Sequence, residues 1–105
     1  IRRLMVREQF DGVILPPPFC DSRRLAVTLA RDGVPTVAIA TAEPSEGVLA
    51  VMIDDRHAAQ DMTRHLIELG HRRIGFITGS ENQTASVGRL AGHEAALRAA
   101  APRRV

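Results

Sequence analysis

The stretch LIELGHRRIGFITG, residues 66–79, places a glycine, a histidine and two arginines between two apolar runs. A glycine followed by cationic side chains is typical of a helix C-terminus, because glycine adopts the left-handed backbone that ends a helix and cations are favoured beside its last carbonyls. We therefore predict that a helix ends at Gly70 and that a strand follows over residues 73–78. His71, Arg72 and Arg73 then lie at the amino end of that strand, whereas ligands of open α/β sheets bind at the carboxyl ends. We interpret these three residues as a helix stop and connector, not as a catalytic or phosphate-binding site.

The regions before this stretch repeat the same alternation. The runs DGVIL (11–15), PTVAIA (35–40) and LAVMI (49–53) are short and nearly all apolar, which is typical of strands buried on both faces. Helices are predicted between and after them. The first helix is predicted to start at Asp21 or Ser22 and to stop at Gly33. The second would start at Asp54 or Asp55 and stop at Gly70, and the third would start at Thr84 or Ser86 and stop before Pro102. Alternating strands and helices predict an α/β fold, with an open, mainly parallel sheet and flanking helices.

Apolar residues recur at helical spacing in the second and third predicted helices. We expect them to form the buried stripes of these helices: Ala58, Met62, Leu66 and Leu69 in one, and Val87, Leu90 and Leu97 in the other.

Composition narrows the possible functions. The 105 residues suffice for one domain or for a piece of a larger one, and we expect the chain to start within a longer protein because its first residues resemble the tail of a helix. All 14 basic residues are arginine, so a Walker-A lysine and a Schiff-base lysine are excluded. A net charge of +2 from scattered arginines is not typical of a nucleic-acid-binding surface. No apolar run is long enough to span a membrane.

Cys20 is the only cysteine, which excludes an internal disulfide and favours a cytoplasmic setting. It follows a predicted strand, where a nucleophile could lie, but no base is recognisably paired with it. We interpret it as a small, partly buried residue.

The segment TGSENQTASVGRLAGH, residues 78–93, leads from the carboxyl end of a predicted strand into a helix N-terminus. Arg89 lies in the first turns of that helix, where the helix dipole disfavours a cation, so a partner is expected. Arg89 is then either a salt-bridged or solvated side chain, or a forked donor that binds the hydroxyl or carboxylate oxygens of a ligand. The residues alone leave both alternatives open.

A second cluster, His57, Asp61 and His65, has the i, i+4, i+8 spacing that could place three metal ligands along one helix. A zinc site needs further ligands that the sequence does not supply. We expect Asp61 to be a neighbour of these histidines or of Arg64 instead. The sequence predicts no metal, no cofactor and no catalytic residue.

The residues from Asp11 to about Leu97 resemble the LacI/GalR family of bacterial transcriptional regulators. The resemblance is carried by DGVIL, GVPTVAIA, VMIDD, HLIELGHRRIGFITG and GRLAGHEAAL, in this order. It implies part of a two-lobed core of the type I periplasmic-binding-protein class, with residues 1–70 in the later part of the N-terminal lobe. Residues 71–105 would then contain the crossover and the start of the C-terminal lobe.

The resemblance also implies a function. The chain would bind a small effector, a sugar by family default, as the sensor of a cytoplasmic, homodimeric repressor. The helix-turn-helix that binds operator DNA would precede residue 1. Effector contacts would come from Arg89 of the RLAG motif, from Gln83, from Asp54 at the end of the third strand, and from Pro16 after the first strand.

One place in the sequence departs from the family pattern, and two alternative functions stay open. Many members have an aspartate and then an aromatic residue or arginine after the second strand, where this chain has Ala40 and Thr41. The alternatives are a stand-alone solute-binding protein that serves a transporter and a flavodoxin-like α/β enzyme, for which Asp54 and Arg89 would be a weak catalytic cluster. The sequence does not indicate which effector is bound or whether it is an inducer or a corepressor.

Overall fold

Three of the predicted strands form a parallel sheet in the computed structural model, which describes residues 2–102. The strands are β1 (Val13–Leu15), β2 (Thr36–Ile39) and β3 (Leu49–Val51), and their spatial order is β1-β2-β3. The helices are α1 (Arg2–Glu8), α2 (Arg23–Arg31), α3 (Asp55–Glu68) and α4 (Thr84–Ala100), with a short 3-10 helix at Phe19–Asp21. The predicted α/β class with a parallel sheet and flanking helices is confirmed.

The chain divides into unit 1, which ends at Ile53, and unit 2, which begins at Asp54. This division does not coincide with the lobe boundary that the sequence analysis placed at residues 70 and 71. Within unit 2, α3 packs against α4, so the helix before Gly70 contacts the helix after it.

One face of the sheet in unit 1 carries the core. Leu15 and Ala38, which are paired neighbours on β1 and β2, are buried together with Ala26 and Leu29 of α2. Ile14, Ile39, Leu49 and Val51 lie on the opposite face, because alternate residues of a strand point to opposite sides, and they are exposed. The apolar character of both faces explains why these runs resemble doubly covered strands.

Helices α2 and α3 end in the same way. In α3 the backbone N–H of Gly70 donates to the carbonyl of Ile67 and that of His71 donates to Leu66, with Gly70 at φ +98°. This is a Schellman motif, in which glycine supplies the left-handed turn. Nη1 of Arg72 also donates to the carbonyl of Ile67 at 3.1 Å. The prediction that this stretch stops a helix is confirmed.

The predicted strand over residues 73–78 is wrong for this structure. Residues 71–83 contain neither helix nor strand, and Ile77 is 99% exposed. A strand needs a neighbour to which its backbone can bond, and no described residue pairs with this segment. The apolar pattern of RIGFIT is real, but the pattern alone cannot form a sheet.

The predicted apolar stripes of α3 and α4 are also largely wrong. Met62, Leu69 and Val87 are more than half exposed, and Leu66 and Leu90 are only partly buried. The buried residues of the two helices are small or polar instead: Asp55, Thr63, Ala85, Gly92, His93 and Ala96. Small residues let the two helix backbones approach closely, which larger apolar side chains would prevent.

Candidate functional site

Among the described residues of unit 2, the ion pair with the most buried carboxylate joins Arg89 to Asp55. Nε of Arg89 lies 2.7 Å from Oδ1 of Asp55, and the Asp55 side chain is 5% exposed whereas the Arg89 side chain is 53% exposed. The carboxylate is therefore desolvated and held by one edge of the guanidinium. Within the described residues, the hydrogen bond of the Arg89 side chain is the one that Nε donates.

Two glycines of α4 place the N-terminus of α3 beside Arg89. A Cβ at Gly88 would meet Arg56 N and Asp55 Cβ at 3.7 Å, an ordinary contact. A Cβ at Gly92 would collide with the carbonyl oxygen of Arg56. Because α3 touches α4 through backbone at this point, Asp55 lies directly alongside the first turns of α4.

Asp54 and Gln83, two of the predicted effector contacts, lie at helix N-termini. Asp54 is the N-cap of α3, and its Oδ1 accepts from the backbone N–H of His57 at 2.9 Å. Gln83 is the N-cap residue of α4, and its Oε1 accepts from the Ser86 hydroxyl at 3.5 Å. Arg89 contacts Asp55, not its predicted site neighbour Asp54. The chain's paired aspartates thus have separate roles: Asp54 caps the helix and Asp55 holds the arginine.

The segment between α3 and α4 is attached to the helices through a buried histidine. The rings of Phe76 and His93 stack with their centroids 4.8 Å apart, and Oγ1 of Thr63 lies 3.0 Å from Nδ1 of His93. His93 is the last residue of the RLAGH motif, so the motif contributes both the exposed arginine and a buried attachment point. This contact fixes the path of the chain that leads to Gln83.

Pro16 lies in unit 1, exposed at the carboxyl end of β1. At the carboxyl end of β2, Ala40 has a left-handed backbone with φ 64°, and Thr41 is almost fully buried. The Thr41 hydroxyl donates to Oδ1 of Asp21 at 2.8 Å and accepts from the backbone N–H of Glu43 at 3.2 Å. The residue that departs from the family pattern therefore holds the end of the strand in place.

We expect Thr41→Val to lower the free energy of unfolding by about 1–3 kcal/mol, because valine has the same shape but neither donates to Asp21 nor accepts from Glu43. Thr28→Val is the matched control. The Thr28 hydroxyl donates to the carbonyl of Arg24 on an exposed helix surface, so its loss should change stability by less than about 0.5 kcal/mol. Urea denaturation of the two variants measures both values, and equal effects would contradict the assignment.

The other sequence candidates have simple structural roles. Asp61 pairs with His57 at 3.2 Å and with Arg64 at 2.6 Å on the exposed side of α3, as an aspartate with these neighbours was expected to do. Cys20 is buried, and this burial raises the pKa of its thiol, with a smaller contribution from the charge of Asp21. A protonated, buried thiol is a poor nucleophile, in agreement with the interpretation of Cys20 as a packing residue.

From the sequence, Asp55 is predicted only as an alternative cap, and its contact with Arg89 is not predicted. The signal was present in the adjacent pair Asp54-Asp55, since only one of two neighbouring aspartates can cap a helix. The second aspartate then has no role in capping, and Arg89, in the first turns of another helix, needs an anionic partner. Thr41 and His93 gave no comparable signal, because their importance depends on burial.

Comparison with known families matches residues 2–103 to the periplasmic binding proteins and sugar-binding domains of the LacI family. The chain belongs to this family. It is effector-binding-domain sequence of the LacI/GalR regulator type, which confirms the resemblance noted in the sequence. No helix among residues 2–102 has the length and apolarity needed to cross a membrane.

Individual relatives agree with this assignment. The regulator CelR of Thermobifida fusca is 39% identical over 95 residues, covering 89% of this chain and 28% of CelR. MalI, the maltose regulon regulator of Escherichia coli K12, is 29% identical over 94 residues, covering 90% of this chain and 28% of MalI. The chain thus spans under a third of these regulators. They are transcriptional regulators, not enzymes.

Solved structures show the same fold. A putative ribose operon repressor from Burkholderia thailandensis superposes with a TM-score of 0.76 at 32% identity, covering 94% of this chain and 37% of the repressor. A CelR–cellobiose complex superposes with a TM-score of 0.72 at 36% identity, covering 94% of this chain and 32% of that protein. The three-stranded sheet and its helices are therefore part of a periplasmic-binding-protein-like core.

Proposed function

We propose that the chain is part of the sensor of a LacI-type DNA-binding regulator and that Arg89 binds its effector. The observation that carries this proposal is the geometry of Arg89: the side chain is held through Nε by a buried carboxylate, while the side chain as a whole is 53% exposed. Two parallel N–H groups suit vicinal hydroxyls, a carboxylate or a phosphate. The sequence alternative of an arginine that only forms a salt bridge accounts for Nε but gives no role to the other end.

The effector class is a sugar or a similar small polar metabolite. The family is described by its sugar-binding domains, and one relative at 36% identity forms a complex with cellobiose. The described residues contain few aromatic rings for stacking on a sugar, so hydrogen bonds would contribute most of the specificity on this side of the ligand. Gln83, Asp54 and Pro16 stay proposed effector contacts alongside Arg89, on the strength of the family motifs.

Regulation requires that effector binds two arrangements of the sensor with different affinities, because a ligand shifts an equilibrium only by its differential affinity. In the complete protein this difference would change the affinity of a homodimer for operator DNA. The DNA contact would come from a helix-turn-helix outside this chain, and the setting would be cytoplasmic. The named relatives, all regulators, support this part of the proposal.

The division into lobes stays the one that the family motifs imply. Residues 1–70 would form the later part of the N-terminal lobe, and residues 71–105 would contain the crossover and the start of the C-terminal lobe.

The test of the proposal is effector binding by Arg89 variants of the protein, produced with whatever sequence flanks this chain. Cellobiose, ribose and glucose 6-phosphate are titrated by calorimetry, and Arg89→Ala is expected to weaken the binding of the recognised compound by roughly 100-fold or more. Arg89→Lys keeps a cation beside Asp55 but lacks the fork, so it should also lose most of the affinity while the protein stays folded.

Arg98→Ala is the matched control, since Arg98 is an exposed arginine of the same helix that lies 3.6 Å from Glu94. It should bind the effector as the parent does. Unchanged affinity in both Arg89 variants would refute the site. A parent protein that binds the effector but shows no effector-dependent change in DNA affinity would be a solute-binding protein and would refute the regulatory function.

A further inference from the structure

Asp55 is the most deeply buried carboxylate of the described residues, and α3 does not need it as a cap. Asp54 supplies the cap through its own Oδ1, which accepts from His57 N. Asp55 instead occupies the first position of α3 with its side chain 5% exposed. A desolvated carboxylate is costly unless a partner compensates it, and Arg89 is the ion-pair partner that the structure provides.

The pair has a defined geometry. The contact is made through Nε of Arg89, the nitrogen closest to the helix, at 2.7 Å. Holding Nε restricts rotation about the last side-chain bonds. One terminal nitrogen lies on the same edge of the guanidinium as Nε–H, whereas the end-on fork formed by the two terminal nitrogens takes no part in the bond to Oδ1. An arginine that was paired through its terminal nitrogens would have its forked end occupied and could not offer it to a ligand.

The carboxylate is itself fixed by the backbone. The close approach of α3 to α4 at Gly88 and Gly92 leaves the N-terminal turn of α3 little freedom to move relative to Arg89. Such support by a rigid neighbouring element is what a binding side chain needs in order to be held in one geometry before the ligand arrives.

We propose that Asp55 is a positioning residue for the effector site: it holds Nε of Arg89 so that the two terminal nitrogens form a preorganised fork for the effector. This proposal rests on the proposed function, because Arg89 must be the residue that binds. The role differs from that of its neighbour Asp54, which stays a proposed direct contact of the effector. The role is indirect, so Asp55 itself need not touch the effector.

The first measurement does not depend on the effector. In the parent, the Nε–H proton of Arg89 should give a side-chain NMR signal that exchanges slowly with solvent, since it is bonded to a buried carboxylate. In Asp55→Asn the neutral amide oxygen is a weaker acceptor, and the proton should exchange at least about tenfold faster. An unchanged exchange rate would overturn the positioning role.

The second measurement is a double-mutant cycle on effector affinity, using the compound among cellobiose, ribose and glucose 6-phosphate that the parent binds. Asp55→Asn is expected to weaken binding by about tenfold when Arg89 is present and by less than about twofold in the Arg89→Ala background. If the role of Asp55 were purely structural, Asp55→Asn would lower thermal stability both with Arg89 present and in the Arg89→Ala background. It would leave the effector affinity unchanged, or reduce it by the same factor in both. Either of these two affinity patterns would overturn the proposal.

Asp61→Asn serves as the matched control, because Asp61 pairs with Arg64 at 2.6 Å on the same helix but is exposed. The effector affinity of the Asp61→Asn variant should equal that of the parent. If Arg89→Ala abolishes binding while Asp55→Asn does not alter it, the proposed function stands and the positioning role is refuted. If the parent binds none of the three compounds, or if Arg89→Ala binds as tightly as the parent, the proposed function is refuted. The positioning role is then refuted with it.

Discussion

Gly92→Ala is expected to lower the free energy of unfolding by about 2–4 kcal/mol, although alanine is the better helix former. A Cβ at this position would collide with the carbonyl oxygen of Arg56, and it would lie 3.0 Å from the backbone nitrogen of Gln60. These are backbone atoms, which cannot rotate away as the end of a side chain can. The helices must separate, and the contacts of His93 and Asp55 would be strained with them.

Gly88→Ala is the matched control on the same face of α4, one turn earlier. Its Cβ would find only ordinary contacts at 3.7 Å, so the gain in helix propensity of about 1 kcal/mol should make this variant equal to or more stable than the parent. Guanidinium denaturation of both variants measures the difference. Similar stabilities for the two variants would mean that the α3–α4 backbone contact is looser than described.

Leu29→Ala is expected to cost about 2–5 kcal/mol in unit 1. Leu29 is 2% exposed and belongs to the buried cluster that joins α2 to the sheet, so truncation loses apolar burial and leaves a cavity. The midpoint of chemical denaturation, followed by circular dichroism, measures this loss.

Leu49→Ala provides the comparison within the same unit. Leu49 is 74% exposed on the open face of the sheet, and its removal should change stability by less than about 1 kcal/mol in the chain as described. A large effect of Leu49→Ala in the complete protein would instead show that other sequence covers this face.

The sequence predicted local features of the fold well. Both Schellman motifs follow from a glycine placed directly after the helical stretch, and the N-caps Ser22 and Asp54 follow from the preference of short polar side chains for that position. Three of the four predicted strands are present because each has a neighbour nearby in the sequence. These features depend on a few consecutive residues, which is why the sequence reveals them.

Features that depend on distant residues were predicted poorly. RIGFIT has the composition of a strand but no pairing partner in the described chain, and Met62 and Val87 have helical spacing but no surface to pack on. The α3–α4 contact was missed because it is made by small and polar residues, which no hydrophobic pattern reveals. Arg89 could be predicted as a site residue from the RLAG motif. Its ion pair with Asp55 could not be predicted, because that contact depends on the distance between two helices.

The contact at Gly92 has a consequence for how movement would pass through unit 2. The carbonyl of Arg56 lies where a Cβ at position 92 would be, so a larger residue brought to this point would force α3 and α4 apart. The contact therefore resists sliding of one helix along the other. A displacement of α4 at Arg89 would carry the first turn of α3 with it.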